Sequence, residues 1–188
     1  MGAEMREARK KVVPRRTLKR KVDALKGAGK RVVFTNGCFD LLHLGHIRSL
    51  QKARNLGDCL VVGINSDTSV REIKGAGRPI VPQQERAETL AALACVDWVT
   101  IFAEPDPLVL IKLLVPDVLV KGADWKEGEI IGAGVVRAAG GKVARINLKL
   151  GLSTTLLIEK ILTRYADKGR GSSVDEVVDV EPRADEGC

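Results

Sequence analysis

The chain has 188 residues, 45% of them hydrophobic but only 3% aromatic, and a formal net charge of +7. That suits one domain with extensions and an aliphatic core, and no apolar run reaches the ~18 residues that a membrane span needs. The charge is uneven: residues 1–31 hold twelve Lys/Arg against three acids, and residues 167–188 hold three against seven. A basic arm and an acidic tail therefore flank a modestly positive middle. The basic N-terminus lacks the apolar stretch of a secretory signal. The four cysteines, Cys38, Cys59, Cys95 and Cys188, have no metal-ligand spacing, so reduced thiols in a cytoplasmic protein are the expectation.

In chain order, residues 1–16 are charged and poor in large apolar groups, which predicts a flexible arm. Residues 17–28 fit a helix capped by Thr17, with Leu18, Val22 and Leu25 on one face. Val32, Val33 and Phe34 begin a buried strand, followed by the turn-prone Thr35-Asn36-Gly37. A helix over 44–56 places Ile47, Leu50, Ala53 and Leu56 on one face, and 59–64 is a second buried strand. Residues 68–82 read as a basic loop holding Lys74, Gly75, Gly77 and Arg78. Helices follow over 82–94, 106–114 and 129–139, and strands over 96–102, 118–120 and 142–148. A last helix starts near Ser153 and ends near Tyr165, and 167–188 reads as a disordered tail. The domain so delimited is 17–166.

Five strands alternating with helices predict an α/β fold: a Rossmann-like, doubly wound, parallel five-stranded sheet with helices on both faces. Ligands of such sheets bind beyond the carboxyl ends of the strands, where strand order reverses. Residues 35–46, 65–67, 121–125 and 153–155 each follow a predicted strand, so they converge on one edge.

The chemistry concentrates in the first of these segments. His43 and His46, the chain's only histidines, flank Gly45 at the mouth of a helix. Backbone N–H groups there are unpaired and carry partial positive charge, and a glycine admits a phosphate close to the backbone. The set suits a nucleoside triphosphate, with the imidazoles neutralising charge at a phosphorus under attack. Capping or core histidines are the alternative, and their coincidence at one strand-loop-helix junction argues against it. Asp40 either orients a histidine or caps the helix. Ser153, Thr154 and Thr155 open another helix, where hydroxyls and N–H groups bind phosphate oxygens; an ordinary N-cap is the alternative. Lys74, Arg78 and Arg86 are candidate phosphate cations, with Lys74 foremost, although Arg86 by itself reads as a helix-surface charge. Asn65 and Asp67, at a strand end, can hydrogen-bond sugar hydroxyls.

The block TNGCFDLLHLGH resembles the signature of the small HxGH nucleotidyltransferases. LVVGINSD, KGAGRPIVP, ERAETLAAL, CVDWV, PDVLVKGADW and GLSTTLLI extend the resemblance over residues 30–161. Within that superfamily the chain looks most like the adenylyltransferase module of ADP-heptose synthases. The resemblance implies transfer of an adenylyl group from ATP to D-glycero-β-D-manno-heptose 1-phosphate, with release of pyrophosphate. It implies that Thr35, Asn36, Gly37, Cys38 and Phe39 border the nucleotide beside His43 and His46. It makes Lys121, Gly122, Asp124 and Trp125 the base-side loop, with Trp125 stacking on adenine or merely packing. It raises Arg86 to a sugar-phosphate ligand alongside Arg78. Magnesium is expected on the ATP phosphates rather than in a protein-built cage, and a homodimer is expected from the family.

Related cytidylyltransferases place an arginine before the Ser-Thr block. Here Leu148, Lys149, Leu150 and Gly151 stand there instead. That departure weighs against the rival enzyme, a cytidylyltransferase acting on glycerol 3-phosphate or a similar alcohol phosphate. A nucleotide-binding regulator without turnover is a second rival. Nucleic acid is not expected as a partner, because no aromatic side chain is interleaved with the basic residues of the arm.

Overall fold

The computed structural model describes residues 7–123, 127–147 and 153–165. Its elements are α1 (Arg15–Gly27), β1 (Val32–Gly37), α2 (Leu44–Arg54), β2 (Cys59–Asn65), α3 (Asp67–Lys74), α4 (Gln83–Ala92), β3 (Trp98–Phe102), α5 (Leu108–Leu114), β4 (Val118–Gly122), α6 (Ala133–Ala138), β5 (Lys142–Ile146) and α7 (Thr154–Tyr165). The chain divides into two units, 1–154 and 155–188. Of the second, the described part is the body of α7, whose Leu156, Ile161, Leu162 and Tyr165 are exposed.

The first unit holds one parallel sheet in the order β3-β2-β1-β4-β5. The expected five-stranded doubly wound fold is present. Alternation along β1 separates two apolar layers. Val32 and Phe34 join Leu18 and Val22 of α1, Ile111 and Leu114 of α5 and Val136 of α6 on one face. Val33 joins Leu50 and Ala53 of α2 and Leu90 and Ala91 of α4 on the other. The inner strands β1, β2 and β4 are near-continuously apolar at their centres because both faces are covered, whereas the edge strand β5 carries exposed Lys142 and Arg145. The chain moves outward from β1 to β3 and then returns to the far side of β1 as β4. The order therefore reverses at the β1/β4 boundary, and the loop after β1 opens beside it.

Three expectations need correction. Thr17 does not cap α1, which starts at Arg15 after Pro14. Residues 8–16 are not a free arm. Ala8–Lys11 form a 3-10 turn, Val12 makes a parallel bridge to Val99, and the Val13 N–H donates to the Val99 carbonyl at 2.9 Å. Lys11 Nζ donates to the Val96 carbonyl at 3.0 Å, and Arg15 makes a two-pronged pair with Glu104 at 2.8 and 3.0 Å. The segment covers the edge of β3 through polar bonds, which hydrophobic periodicity does not register. The third correction is α3, in a stretch expected to be loop. Ser66 caps it, its hydroxyl accepting from the Ser69 N–H at 3.2 Å, and Val70 is buried beneath it. Gly75, at φ 94°, closes it. The loop is thereby shortened to 75–82. Residues 1–6 and the tail 167–188 lie outside the described residues.

Candidate functional site

The histidine loop is the turn from β1 into α2. Phe39 holds a left-handed backbone, φ 46°, unusual for a bulky side chain and required by the sharp turn after the strand. His43 is the N-cap residue of α2, in extended conformation and without a side-chain cap bond. Its ring stacks on that of His46, centroids 3.8 Å apart and planes 22° from parallel. Phe39 packs against His46, with centroids 5.2 Å apart. The Nδ1 atoms of both histidines are buried and have no hydrogen-bond partner among the described residues. Burial lowers the pKa of His43. Burial, reinforced by the neighbouring His43, lowers that of His46 to about 4. Both imidazoles are thus neutral at pH 7 before a ligand arrives. Gly45, between them, is buried.

Asp40 neither orients a histidine nor caps α2. Its carboxylate is fully buried and faces the segment after α3. It accepts from the Ile80 N–H at 2.9 Å, from the Val81 N–H at 2.9 Å and from Arg78 Nε. Burial pushes its pKa up, but the two backbone donors and Arg78 outweigh that, and the net shift is downward. This one side chain ties the Lys74–Pro79 segment to the histidine loop. Lys74 is exposed, and its charge, with those of Arg86 and Arg78, opposes the burial that raises the pKa of the Cys38 thiol.

Arg86 differs most from expectation. It is 1% exposed and gives its guanidinium protons to the chain itself. Nε donates to the Val81 carbonyl at 2.9 Å, Nη1 to the Cys38 carbonyl, and Nη2 to the Asn65 carbonyl at 3.0 Å and Asp67 Oδ1 at 2.7 Å. A guanidinium so engaged does not face a sugar phosphate. Arg78 is likewise committed to Asp40, its side chain 16% exposed. Asn65 is buried, and its amide donates to Ser69 Oγ at 3.0 Å. The Asp67 carboxylate pairs with Arg86. These residues do surround the expected strand end, but as its internal bracing.

On the other side of β1, Lys121 Nζ donates to Asn36 Oδ1 at 2.5 Å, and Thr35 Oγ1 donates to the Val120 carbonyl at 3.2 Å. These bonds join the ends of β1 and β4 at the reversal point. Gly37 and Gly122 end the two strands. Thr154 Oγ1 donates to the Leu41 carbonyl at 3.3 Å, which brings the start of the Ser-Thr block onto the histidine loop, with half-buried Ser153 before it. Thr155 is exposed and belongs to the second unit. Asp124, Trp125 and Lys149 lie outside the described residues. The phenyl contact on His46 and the Asn36–Lys121 bond were missed in the sequence. No local spacing signals either, because each joins residues that only the strand-end loops bring together.

The model of the cytidylyltransferase-like family matches residues 34–160. The chain belongs to the cytidylyltransferase-like family. It is a nucleotidyltransferase. Among the proteins similar to it, the bifunctional protein HldE of Syntrophotalea carbinolica is 52% identical over 155 residues, which are 82% of this chain and 32% of that protein. The bifunctional protein HldE of Geotalea uraniireducens is 58% identical over 142 residues, 76% of this chain and 29% of that one. The chain thus spans less than a third of the length of these relatives. A solved structure, the lipopolysaccharide core biosynthesis protein of Thermoplasma volcanium, shares 30% identity and a TM-score of 0.54 over 64% of this chain and 98% of its own. The family match begins at Phe34 in β1 and so takes in the whole histidine loop.

Proposed function

We propose that the chain transfers the adenylyl group of ATP to D-glycero-β-D-manno-heptose 1-phosphate, giving ADP-heptose and pyrophosphate. The observation that carries the transfer chemistry is the stacked His43–His46 pair at the mouth of α2, where burial favours the neutral imidazoles. Among the described residues the pair has no carboxylate partner, and the carboxylate of its own loop, Asp40, is committed elsewhere. The choice of sugar rests on the similarity to the HldE proteins.

The acceptor phosphate is already an anion, so the transfer needs no strong general base. An oxygen of the sugar phosphate attacks the α-phosphorus, a new P–O bond forms, and the bond to the β-phosphate oxygen breaks as pyrophosphate leaves. The negative charge grows on the α-phosphoryl oxygens and on the leaving group. The imidazole N–H groups, the unpaired N–H groups at the start of α2 and Lys74 would stabilise it. The triphosphate would lie along the histidine loop and the base toward Lys121 and Gly122. The start of the Ser-Thr block would meet phosphate oxygens. Among the described residues no group of three or more His, Cys, Asp or Glu side chains is placed to hold a metal ion. A magnesium ion would enter on the triphosphate oxygens, where it supplies charge neutralisation.

Pyrophosphate release with ATP or CTP, each with heptose 1-phosphate or glycerol 3-phosphate, tests the proposal. Turnover confined to ATP with heptose phosphate supports it. Turnover with CTP and glycerol phosphate keeps the chemistry and overturns the substrates. ATP binding with no turnover in any pairing favours the regulator.

A further inference from the structure

Arg86 stands at a crossing of four segments. Val81 precedes α4, Cys38 follows β1, Asn65 ends β2 and Asp67 begins α3, and each offers an oxygen to the same buried guanidinium. A buried arginine that only balanced Asp67 would need one of these contacts. The other three fix backbone carbonyls, and a planar fork of donors holds them in fixed relative orientation.

The Cys38 carbonyl matters most. The Cys38–Phe39 peptide is trans, since among the described residues the one cis bond is at Arg78-Pro79. In a trans peptide the carbonyl and the following N–H point in opposite directions. With the Cys38 oxygen turned inward onto Arg86, the Phe39 N–H is turned outward, to the open side of the loop. Phe39 then takes its left-handed conformation, and its ring reaches His46. Successive N–H groups around such a residue form a concave donor for anions. No hydrogen-bond acceptor among the described residues takes the N–H of Phe39 or of Asp40.

We propose that Arg86 is a positioning residue: by holding the Cys38 carbonyl it aims the Phe39 N–H and the Phe39–His46 contact at the reacting phosphates. It touches no substrate. The inference rests on the nucleotidyltransferase chemistry proposed above and adds to it the group that sets the donor geometry. Asp67, Asn65 and Val81 keep the guanidinium from turning away.

The test uses the full chain with Arg86→Lys, which retains the charge but not the fork, and Asp67→Ala, which removes one of the four acceptors. Melting and near-UV circular dichroism give the folded fraction. Pyrophosphate release gives kcat and KM for ATP and heptose 1-phosphate, and calorimetry gives the affinity for inorganic pyrophosphate. The expected Arg86→Lys result is a kcat per folded molecule down about 100-fold, the scale of a small misplacement of reacting groups, with KM for the sugar phosphate little changed. Pyrophosphate affinity falls in parallel, and Asp67→Ala shows a smaller loss of the same kind. A folded Arg86→Lys protein with wild-type kcat and wild-type pyrophosphate affinity overturns the inference. So does a loss of melting temperature with unchanged kcat per folded molecule, which marks a purely structural role. Should Arg86→Lys fail to fold, Asp67→Ala decides, and wild-type kcat and affinity there refute the proposal. A wild-type chain that binds pyrophosphate but never turns over overturns the proposed reaction alone, and the variants' affinities still decide this point. A wild-type chain that binds no pyrophosphate overturns the inference itself.

Discussion

Replacing Asp40 with asparagine isolates the bond between the histidine loop and the Lys74–Pro79 segment. The substitution conserves shape and leaves one oxygen able to accept from the Ile80 and Val81 N–H groups, both now at 2.9 Å. It removes the charge facing Arg78, whose side chain is 16% exposed against 0% for Asp40, and sets an amide N–H₂ against a guanidinium. Breaking a buried ion pair from one side costs about 3–5 kcal/mol. With the two backbone bonds retained and Arg78 partly open to water, about 2–3 kcal/mol is expected. A urea titration at pH 7 should show the midpoint falling by roughly 1 M at an unchanged slope of about 2 kcal/mol/M. The pH dependence supplies a second reading of the same bond. The native pKa of Asp40 lies below its ordinary 3.8, so its stabilisation is complete above that value and disappears as pH falls through the lower native one. The gap between wild type and Asp40→Asn should therefore stay constant from neutral pH down to about pH 4 and close below it. An unchanged midpoint at pH 7, or a gap that persists after full protonation, would refute the account of Asp40 as the charged tether.

His46→Ala should abolish measurable pyrophosphate release while ATP still binds, and activity within a few-fold of wild type would remove the histidine pair from the chemistry. Because the His46 pKa falls from 6.5 to about 4, the folded state resists a proton that the unfolded chain accepts. Wild-type stability should thus decline as pH drops from 6.5 towards 4, more steeply than that of His46→Gln, and parallel pH curves would contradict the burial argument. Lys74→Ala, at an exposed site, should leave the unfolding free energy within about 0.5 kcal/mol of wild type and lower kcat roughly 10-fold or more; a stability loss without a rate loss would reverse its assignment. Deleting residues 1–13 should uncover the β3 edge, costing about 1–3 kcal/mol and promoting association on heating. Equal melting and equal light scattering would show the segment to be dispensable.

What the sequence made legible was governed by local pattern. The run from β1 through the paired histidines into α2 carries its own strand, turn and helix signals within a few residues, and β1 and β2 announced themselves as short apolar runs. Arg86 shows where such signals stop. On α4 it reads as a surface charge by residue type alone, although Leu90, one turn on along the same face, is buried. Its partners at Cys38 and Asn65 lie 48 and 21 residues away and are backbone carbonyls, which no side-chain pattern encodes. Asp40 was misjudged for the same reason: a carboxylate just before a helix suggests a cap, but its donors come from 38 to 41 residues downstream. The segment at 8–16 adds polar bonds to the packing of Ala8, Val12 and Val13 against the core, and α3 adds a single cap to the burial of Val70. Each is too short and too charged in composition for its few apolar residues to stand out in the sequence.

These misjudged residues share one electrostatic consequence. On the proposed reading the site takes several phosphates and must not present carboxylates to them, yet Asp40 and Asp67 stand just beyond the ends of β1 and β2. The fold disposes of both by pairing them inward, Asp40 with Arg78 and Asp67 with Arg86. Each pairing removes an anion and a cation from the anion-facing surface at once, so net charge is not the asset. What remains turned outward is directional: the N–H groups of the loop and of the first turn of α2, two neutral imidazoles and an exposed lysine. Neutral donors attract a highly charged ligand less strongly at a distance than a cluster of arginines does, but their strength rises where charge accumulates on an oxygen within hydrogen-bond reach. Such a surface favours a transition state over its ground state more than a field of fixed cations would. The two internal ion pairs are therefore as much a part of the site's chemistry as the histidines they leave without a counterion.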